Sequence, residues 1–398
     1  MQLFNTQSGQ LERLTARDGS IGLYVCGVTP YDTTHAGHAF TYLTFDVLVR
    51  YLRYSDFEVT YVQNVTDIDD DILRKAKELG TTWDDLGRSE TEKFRIDMRN
   101  LNALDPDHYV LATDHVPEIL SVATSLVSSG HAYESNGSVF YSVDSDPDFG
   151  ILSHLRREEM LPIANERGNN PDDPNKRDPL DFVLWQAAKP GEPTWGSPWG
   201  PGRPGWHIEC SAMATRYLGP TVDIHGGGSD LIFPHHECEI AQTEPVTGER
   251  PFVRYWMHTA MVEYQGEKMS KSLGNLVKVR DVLQTHNPDA LRLYLLSHHY
   301  RTAWEYQDDD LDTYARLADD IREAINFPAY GIEQIVDVIP FREQFFNAME
   351  DDLNIPEAIE AVAEIVTAIL EAPEDDDVKD AQEILQTVAD ILGLALNE

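Results

Sequence analysis

The sequence predicts an α/β fold in which a parallel β-sheet is joined to a C-terminal helical bundle. Two strand–turn–helix units near the N-terminus predict the sheet, because strands that alternate with helices usually lie parallel. A regular apolar pattern near the C-terminus predicts the helices. The chain of 398 residues is longer than one hydrophobic core usually organises, so we expect two or three domains.

The first unit begins with the apolar run IGLYVC at 21–26, which predicts a buried strand. A loop over 27–33 follows, and then a helical pattern over about 34–54. A second strand over 58–63 leads through an Asp-rich loop into the helical segment DILRKAKELG. The β–α order is therefore repeated, as a parallel sheet requires.

The middle of the chain is less regular. The segments HAYES and SVFYSV, separated by NG, predict a hairpin at the start of an insertion rich in Pro, Gly and Asp that runs to about residue 205. From about residue 306 onward the pattern is largely helical and predicts a small bundle. Its apolar positions, at alternating four- and three-residue spacing, include Ile355, Ile359, Val362, Val366 and Ile369.

The composition limits the function classes. The 69 acidic and 31 basic residues give a formal charge of -38, which disfavours a large nucleic-acid interface unless a local basic face exists. A salt-adapted or highly soluble surface is the alternative explanation. We expect a cytoplasmic protein, because the sequence has neither an export signal nor a membrane-length apolar run. Three cysteines argue against a disulfide framework and leave metal binding or catalysis open.

Two short motifs indicate an anion site. In THAGH, at 34–38, a helix N-terminus, Gly37 and the imidazoles of His35 and His38 could bind phosphate oxygens. The second motif is KMSKS at 268–272, which taken alone is an ordinary exposed basic turn. Each motif is weak in isolation.

Together, in this order and about 230 residues apart, the two motifs resemble the paired signature of class I aminoacyl-tRNA synthetases and related adenylate-forming ligases. The resemblance implies a Rossmann-like (HUP-type) sheet with the active site at the carboxyl ends of its strands. It also implies that His35 and His38 contact the phosphates of ATP. Lys268 and Lys271 would stabilise the departing pyrophosphate, where charge develops in the transition state.

Four further residues could bind a metal. Cys26 ends the first strand, Cys210 lies in WHIEC, and His235 and Glu239 are four residues apart in PHHECE. If the last segment is helical, its two side chains share a face, so two thiolates, an imidazole and a carboxylate could form a zinc site. The alternative is that they are ordinary core or surface residues. Cys238 has no role in this arrangement, and we expect it to be a surface thiol.

The segments YVCG, GRPGWHIEC and DIHGGGSDLIFPHHE resemble those of cysteinyl-tRNA synthetase and its close relative, the mycothiol-pathway ligase. The resemblance implies one Zn²⁺ per chain that holds the thiolate of substrate cysteine. A zinc–sulfur bond separates cysteine from serine or alanine far better than a hydrophobic pocket does. A non-catalytic paralogue would tend to lose His38 or Lys271, and a zinc-free nucleotidyltransferase would not need Cys26 and Cys210.

The molecule that accepts the activated cysteine is less clearly indicated by the motifs. The mycothiol-pathway ligase joins cysteine to the amine of glucosaminyl-inositol, and VTPYDTTHAGH, TYLTFD and ERGNNP resemble its motifs, whereas DDIL, EIAQ and Glu239 resemble the synthetase. About 125 residues follow KMSKS, which is too few for a bundle together with an anticodon-binding domain, and residues 306–398 are strongly acidic. We therefore predict a small amine acceptor, with a cysteine–tRNA ligase that lacks the anticodon-binding domain as the alternative.

The resemblance also assigns the substrate pocket and the domains. Half-domains at 1–115 and 206–305 would form the catalytic sheet, with an insertion at 116–205 and a helical domain at 306–398. ATP would bind with Mg²⁺, and we expect a monomer. Trp206 could instead be plain core, and Asn64 and Thr66 could merely cap a helix. The residues expected to line the cysteinyl-adenylate pocket are Gly27, Val28, Thr29, Thr41, Asn64, Val65, Thr66 and Trp206, with Gly228, Ser229 and Asp230 at the adenosine and Val262 at the adenine edge.

Overall fold

A computed structural model of the chain describes residues 1–17, 19–31, 34–269, 274–328, 331 and 334–396, apart from the side chain of Lys268. Fourteen strands lie in the described part of the chain. In chain order they are β1 (Gln2–Asn5), β2 (Gln10–Arg13), β3 (Ser20–Val28), β4 (Glu58–Val65), β5 (His108–Leu111), β6 (Ala132–Ser135), β7 (Ser138–Tyr141), β8 (Phe182–Ala187), β9 (Gly202–Pro204), β10 (Val222–Gly228), β11 (Val253–Thr259), β12 (Val262–Tyr264), β13 (Glu267–Lys268) and β14 (Trp304–Glu305).

Helices separate most of these strands and cover the central sheet. In chain order they are α1 (Ala36–Tyr54), α2 (Asp70–Leu79), α3 (Trp83–Asn100), α4 (Val116–Ser128), α5 (Arg157–Glu166), α6 (Trp206–Leu218), α7 (Glu237–Thr247), α8 (Val279–Val282), α9 (Pro288–Leu296), α10 (Leu311–Ile325), α11 (Ile339–Glu350), α12 (Ile355–Leu370) and α13 (Lys379–Leu392). None of the helices in the described ranges is both long and apolar enough to cross a lipid bilayer.

The central sheet has five parallel strands in the order β11–β10–β3–β4–β5. Strand β3 occupies the middle, where Ile21, Leu23 and Val25 are completely buried, as expected for a strand covered on both faces. The predicted parallel α/β sheet is thereby confirmed. All five carboxyl ends point to one edge, so the loops that follow β3, β4 and β10 lie side by side.

The insertion forms its own antiparallel sheet in the order β6–β7–β8–β9. The predicted hairpin is β6–β7, and Asn136 and Gly137 between its strands both have positive φ, at 52° and 84°. Such a two-residue turn needs positive φ at both positions, which Asn-Gly accepts at low cost.

The C-terminal part consists of helices α10 to α13, as predicted from its apolar spacing. The five apolar residues that gave this prediction are buried in α12. A buried arginine joins the bundle to the sheet domain: Arg292 of α9 donates to the carbonyl oxygens of Leu392, at 2.5 Å, and Leu101, at 2.9 Å, and pairs with Asp46 of α1. The bundle is therefore tied to α1 by hydrogen bonds as well as by apolar packing.

The hairpin β1–β2 was not predicted. It packs beside β11, and its Phe4 N–H donates to the carboxylate of Asp352 at 2.7 Å. Asp352, in the connection between α11 and α12, also accepts from Tyr300 Oη and Arg301 Nε, each at 2.6 Å. One buried carboxylate thus joins β1, the segment that follows α9 and the connection between α11 and α12.

Candidate active site

The carboxyl edge of the central sheet opens into a cavity of about 1340 Å³. Cys26 and the loop after β3 form one side of the cavity, the N-terminus of α1 another, and the insertion the far wall. The expected pocket residues that line it are Gly27, Val28, Thr29, Thr41, Trp206, Gly228, Asp230 and Val262.

The remaining expected pocket residues are Asn64, Val65, Thr66 and Ser229, which the described cavity wall does not include. Asn64 contacts a residue that does line the cavity: its Oδ1 accepts the Gly27 N–H at 2.8 Å. A Cβ atom on Gly27 would lie 1.5 Å from the Asn64 carbonyl oxygen, so only glycine fits here. Asn64 therefore shapes the cavity through Gly27.

Helix α1 begins at the cavity. His35 is its N-cap, and the His35 ring accepts the His38 N–H at 3.4 Å and stacks on the His38 ring with centroids 3.8 Å apart. Gly37 lies between them and also lines the cavity, so backbone N–H groups and two imidazoles face the same space. Lys268 contributes a backbone position in β13, while Lys271 lies outside the described residues.

The four predicted metal ligands come together beside the cavity, which one of them, Cys26, lines. We call Cys26, Cys210, His235 and Glu239 the metal group; their ligand atoms lie within 4.8 Å of one another, and all four are buried. The Sγ atoms of Cys26 and Cys210 are 3.6 Å apart, close to the roughly 3.8 Å that two 2.3 Å Zn–S bonds require in a tetrahedral site. The donor set therefore fits zinc.

Electrostatics in the metal group favour a bound cation. Burial alone would raise the pKa of Cys210, but its interactions with Cys26 and His235 lower it to about 6. Burial would likewise raise the pKa of Glu239, yet His225 and His235 lower it to about 2. The neighbouring anions in turn raise the pKa of His235 to about 10 despite its burial. A thiolate and a carboxylate are thus already formed, and protons remain on Cys26 and His235.

Three histidines that the sequence analysis missed surround this group. His225 Nε2 lies 2.9 Å from Glu239 Oε2, and His236 Nε2 lies 3.3 Å from Cys26 Sγ. His236 Nδ1 lies 2.7 Å from His258 Nε2, and burial holds the pKa of both imidazoles below the ordinary value. Cys26, His225, His236 and Glu239 form an alternative metal-binding set. The sequence signal for His225 and His236 was the presence of further histidines in DIHGGG and in PHHE, the segment that also holds the predicted ligand His235.

Cys238 corrects one expectation. It is 1% exposed and packs in the core between the insertion and α7, so it is not a surface thiol. Its position on α7, one residue from Glu239, turns it away from the metal group, and burial raises its pKa well above the ordinary value.

Residues 13–316 match the family described as tRNA synthetases class I (C) catalytic domain, and residues 344–397 match the DALR domain. The chain belongs to the class I tRNA synthetase family. Its cavity, helix α1 and parallel sheet are therefore those of a class I synthetase, and the predicted ATP-dependent ligase is confirmed.

Several curated relatives are similar to this class I chain over nearly its whole length. A Cysteine--tRNA ligase of Dehalococcoides mccartyi is 44% identical over 402 residues, covering 100% of this chain and 86% of the relative. An L-cysteine:1D-myo-inositol 2-amino-2-deoxy-alpha-D-glucopyranoside ligase of Parafrankia sp. is 46% identical over 383 residues, covering 95% and 85%. The solved Mycobacterium tuberculosis methionyl-tRNA synthetase, at 15% identity, shares the fold with a TM-score of 0.66 over 94% of this chain and 89% of that one.

An ionisable residue at the cavity rim leads to a stability prediction. Asp69 caps α2 by accepting the Asp71 N–H at 2.6 Å, and burial, together with Asp71 and Asp70, raises its pKa to about 6 in spite of Arg203. A carboxyl whose pKa is higher in the native state destabilises that state increasingly as pH rises from about 4 to about 6.

We therefore expect Asp69→Asn, which keeps the cap, to increase the free energy of unfolding at pH 7.5 by about 1–3 kcal/mol and to have little effect at pH 4. Urea unfolding at both pH values measures the difference. Asp84→Asn, in the exposed first turn of α3, is the control. An equal effect of Asp69→Asn on the free energy of unfolding at both pH values would contradict the raised pKa of Asp69 in the native state.

Proposed function

We propose that this chain activates cysteine with ATP and transfers the cysteinyl group to tRNA. The observation that carries the proposal is the metal group, which adjoins, through Cys26, a cavity that the N-terminus of α1 also lines. In the first step a cysteine carboxylate oxygen attacks the α-phosphorus of ATP, and the bond to pyrophosphate breaks. In the second step an acceptor hydroxyl attacks the carbonyl carbon, the proton leaves that oxygen, and AMP departs.

Zinc in the metal group would supply a soft Lewis acid that selects the thiolate of cysteine over a hydroxyl or methyl group. Cys26, Cys210, His235 and Glu239 would hold it. Because Cys26 and His235 carry protons in the metal-free chain, binding a dication should release protons, and metal affinity should fall as the pH is lowered.

The remaining residues of the cavity would position the nucleotide. His35 and His38, with the N-terminus of α1, would bind phosphate oxygens, and Lys268 and Lys271 would neutralise the departing pyrophosphate together with Mg²⁺. Gly228, Ser229, Asp230 and Val262 would contact the adenosine. Gly27, Val28, Thr29, Thr41 and Trp206 would enclose the cysteinyl-adenylate, with Asn64, Val65 and Thr66 supporting them from behind.

Two observations favour tRNA as the acceptor. Residues 344–397, which hold α12 and α13, match the DALR domain, and two relatives of which the chain covers 86% and 85% are named Cysteine--tRNA ligase. The small amine acceptor predicted from the sequence is the second candidate. It is favoured by the charge of -38 and by the 46% identical relative that acts on an amino sugar. The four-segment domain division, the monomeric state and the cytoplasmic location also stay predictions.

The acceptor assay separates the two candidates. Purified zinc-loaded chain is supplied with cysteine, ATP and either total tRNA or glucosaminyl-inositol, and AMP release is followed. We expect tRNA to raise AMP release at least about tenfold above the rate without acceptor, and the amine to leave that rate unchanged.

Serine in place of cysteine provides the control, because it lacks the thiolate that zinc selects. A response to the amine alone would refute the tRNA acceptor and establish the second candidate. Pyrophosphate exchange that does not require cysteine would reject both.

A further inference from the structure

A second, much smaller cavity lies where helices α1 and α3 cover strands β4 and β5. We call it the α3 cavity. Its volume is about 20 Å³, slightly more than the roughly 10–15 Å³ that one water-sized guest requires. Of the residues that line it, only Tyr42 also lines the active-site cavity. The α3 cavity is therefore a separate site with room for one small guest.

Three side chains line the α3 cavity with buried polar atoms that have no hydrogen-bond partner in the described part of the chain. These atoms are Gln63 Nε2 of β4, Arg95 Nε of α3 and Tyr109 Oη of β5. Gln63 is only 4% exposed, and its Oε1 accepts from Tyr61 Oη at 2.9 Å, which leaves Nε2 as the open end of the amide. Because buried polar groups nearly always have a partner, three such atoms around one cavity indicate a bound guest.

The three atoms share the ability to donate a hydrogen bond. The amide Nε2 of Gln63 and the guanidinium Nε of Arg95 can only donate, and the hydroxyl of Tyr109 can donate as well. A metal cation would face these hydrogens and be repelled. A water molecule would accept two of the three bonds and would still have two hydrogens of its own to place. A halide ion can accept from all three atoms at once.

The charges around the α3 cavity also favour an anion. The nearest carboxylate oxygen to the Arg95 guanidinium belongs, among the described residues, to Asp105 and is 3.6 Å away, beyond hydrogen-bonding distance. The Asp105 side chain is half-exposed, so water screens its charge. Asp46, the other carboxylate that lines the cavity, is already paired with Arg50 and Arg292. The positive charge of Arg95 is thus the least compensated charge at this site.

The overall charge of the chain decides when such a site would be filled. A formal charge of -38 repels a free anion in dilute solution. Exposed charges are, however, screened beyond about 3 Å at about 1 M salt, whereas the buried donors keep their short-range attraction. A chain whose acidic surface suits saline conditions would therefore meet both a high chloride concentration and a weakened repulsion.

We propose that the α3 cavity binds one chloride ion, held by Gln63 Nε2, Arg95 Nε and Tyr109 Oη. The ion would join β4, α3 and β5 and would stabilise the folded chain by mass action. Tyr42, which lines the same cavity, donates from its Oη to the Cys26 carbonyl oxygen at 3.0 Å, so the ion would lie next to a side chain that supports the metal group. The inference does not depend on which acceptor takes the cysteinyl group.

Bromide provides the direct probe, because it replaces chloride and its anomalous scattering distinguishes it from water. Crystals of the full chain are soaked in sodium bromide, and diffraction is recorded at the bromine absorption edge. We expect one anomalous peak in contact with Gln63 Nε2, Arg95 Nε and Tyr109 Oη. An ordered water without anomalous signal at this position would overturn the inference, as would a cavity without density. This experiment uses the wild-type chain and does not require any variant to fold.

Urea unfolding measures the same binding in solution. Sodium chloride replaces sodium gluconate at constant ionic strength, since gluconate is too large for the α3 cavity. We expect the folded-to-unfolded ratio of wild type to rise about fivefold to tenfold between about 0.1 M and about 1 M chloride. Tyr109→Phe and Arg95→Met each remove one donor and should raise the Kd for chloride at least about tenfold.

Two variants serve as matched controls. Tyr141→Phe removes a buried tyrosine hydroxyl of the insertion that likewise has no partner in the described ranges, and Arg88→Met changes an exposed arginine of the same helix α3. Both should keep the chloride dependence of wild type. A wild-type chain whose stability does not respond to chloride would refute the site, as would a response that Tyr109→Phe reduces no more than Tyr141→Phe does.

Discussion

Replacing Cys210 with serine is expected to remove the bound zinc and to lower kcat/KM for cysteine in pyrophosphate exchange by at least about a hundredfold. Cys210 is 1% exposed, and its pKa of about 6 makes it the thiolate of the metal group at neutral pH. A serine hydroxyl stays protonated and is a hard, weak ligand for zinc. Changes one shell further from a metal already cost about 10–100-fold in affinity, so a lost ligand should cost more.

Mass spectrometry of the purified variant measures its metal content independently of its activity. Cys238→Ala is the matched control, because Cys238 is equally buried but outside the metal group, and it should retain one equivalent of zinc. Retention of one equivalent by Cys210→Ser would exclude Cys210 as a ligand. Loss of zinc with exchange preserved would exclude a role for the metal in selecting cysteine.

The second large effect concerns stability. Arg292→Met should lower the free energy of unfolding by about 3–5 kcal/mol, because removing one partner of a buried ion pair leaves the other charge poorly compensated. Arg292 is fully buried, and the carbonyl oxygens of Leu101 and Leu392 would lose their donor. Among the residues that the structure describes, Asp46 would keep Arg50, at 2.9 Å, and the Leu104 N–H as partners.

Unfolding of a chain with several domains is often not two-state, so the urea midpoint should be combined with limited proteolysis. We expect the midpoint to fall and cleavage near α13 to increase. Arg156→Met, on the exposed surface of the insertion, removes a pair with Glu159 and should leave the midpoint unchanged. An unchanged midpoint in Arg292→Met would show that apolar packing alone holds the bundle.

The sequence predicted those strands, turns and helices that a pattern of neighbouring residues determines. The strand at 21–26 lies in β3, the NG turn joins β6 to β7, and Ile355 and its apolar partners form the buried face of α12. Hairpin β1–β2 was not predicted, because its strands are only four residues long and β2 is largely exposed. It is held by contacts with residues hundreds of positions away, and a local sequence pattern contains no information about such contacts.

The metal group was predicted because the spacing of His235 and Glu239 suits one helical face and the motifs around Cys26 and Cys210 resemble a known set. His225, His236 and His258 were missed since they converge only when β10, β11 and the start of α7 meet at the sheet edge. Cys238 was misjudged for the same reason: the insertion that buries it lies far away in sequence. Long-range packing, and not residue type, decides the environment of such residues.

The buried carboxylate of Asp352 has a consequence for how the chain is made. Phe4 of β1 is synthesised 348 residues before Asp352, whose carboxylate accepts its backbone N–H. Domains generally fold from the N-terminus during translation, and contacts between distant residues form slowly. The hairpin β1–β2 must therefore wait until Asp352 has been synthesised before it can dock in its final position.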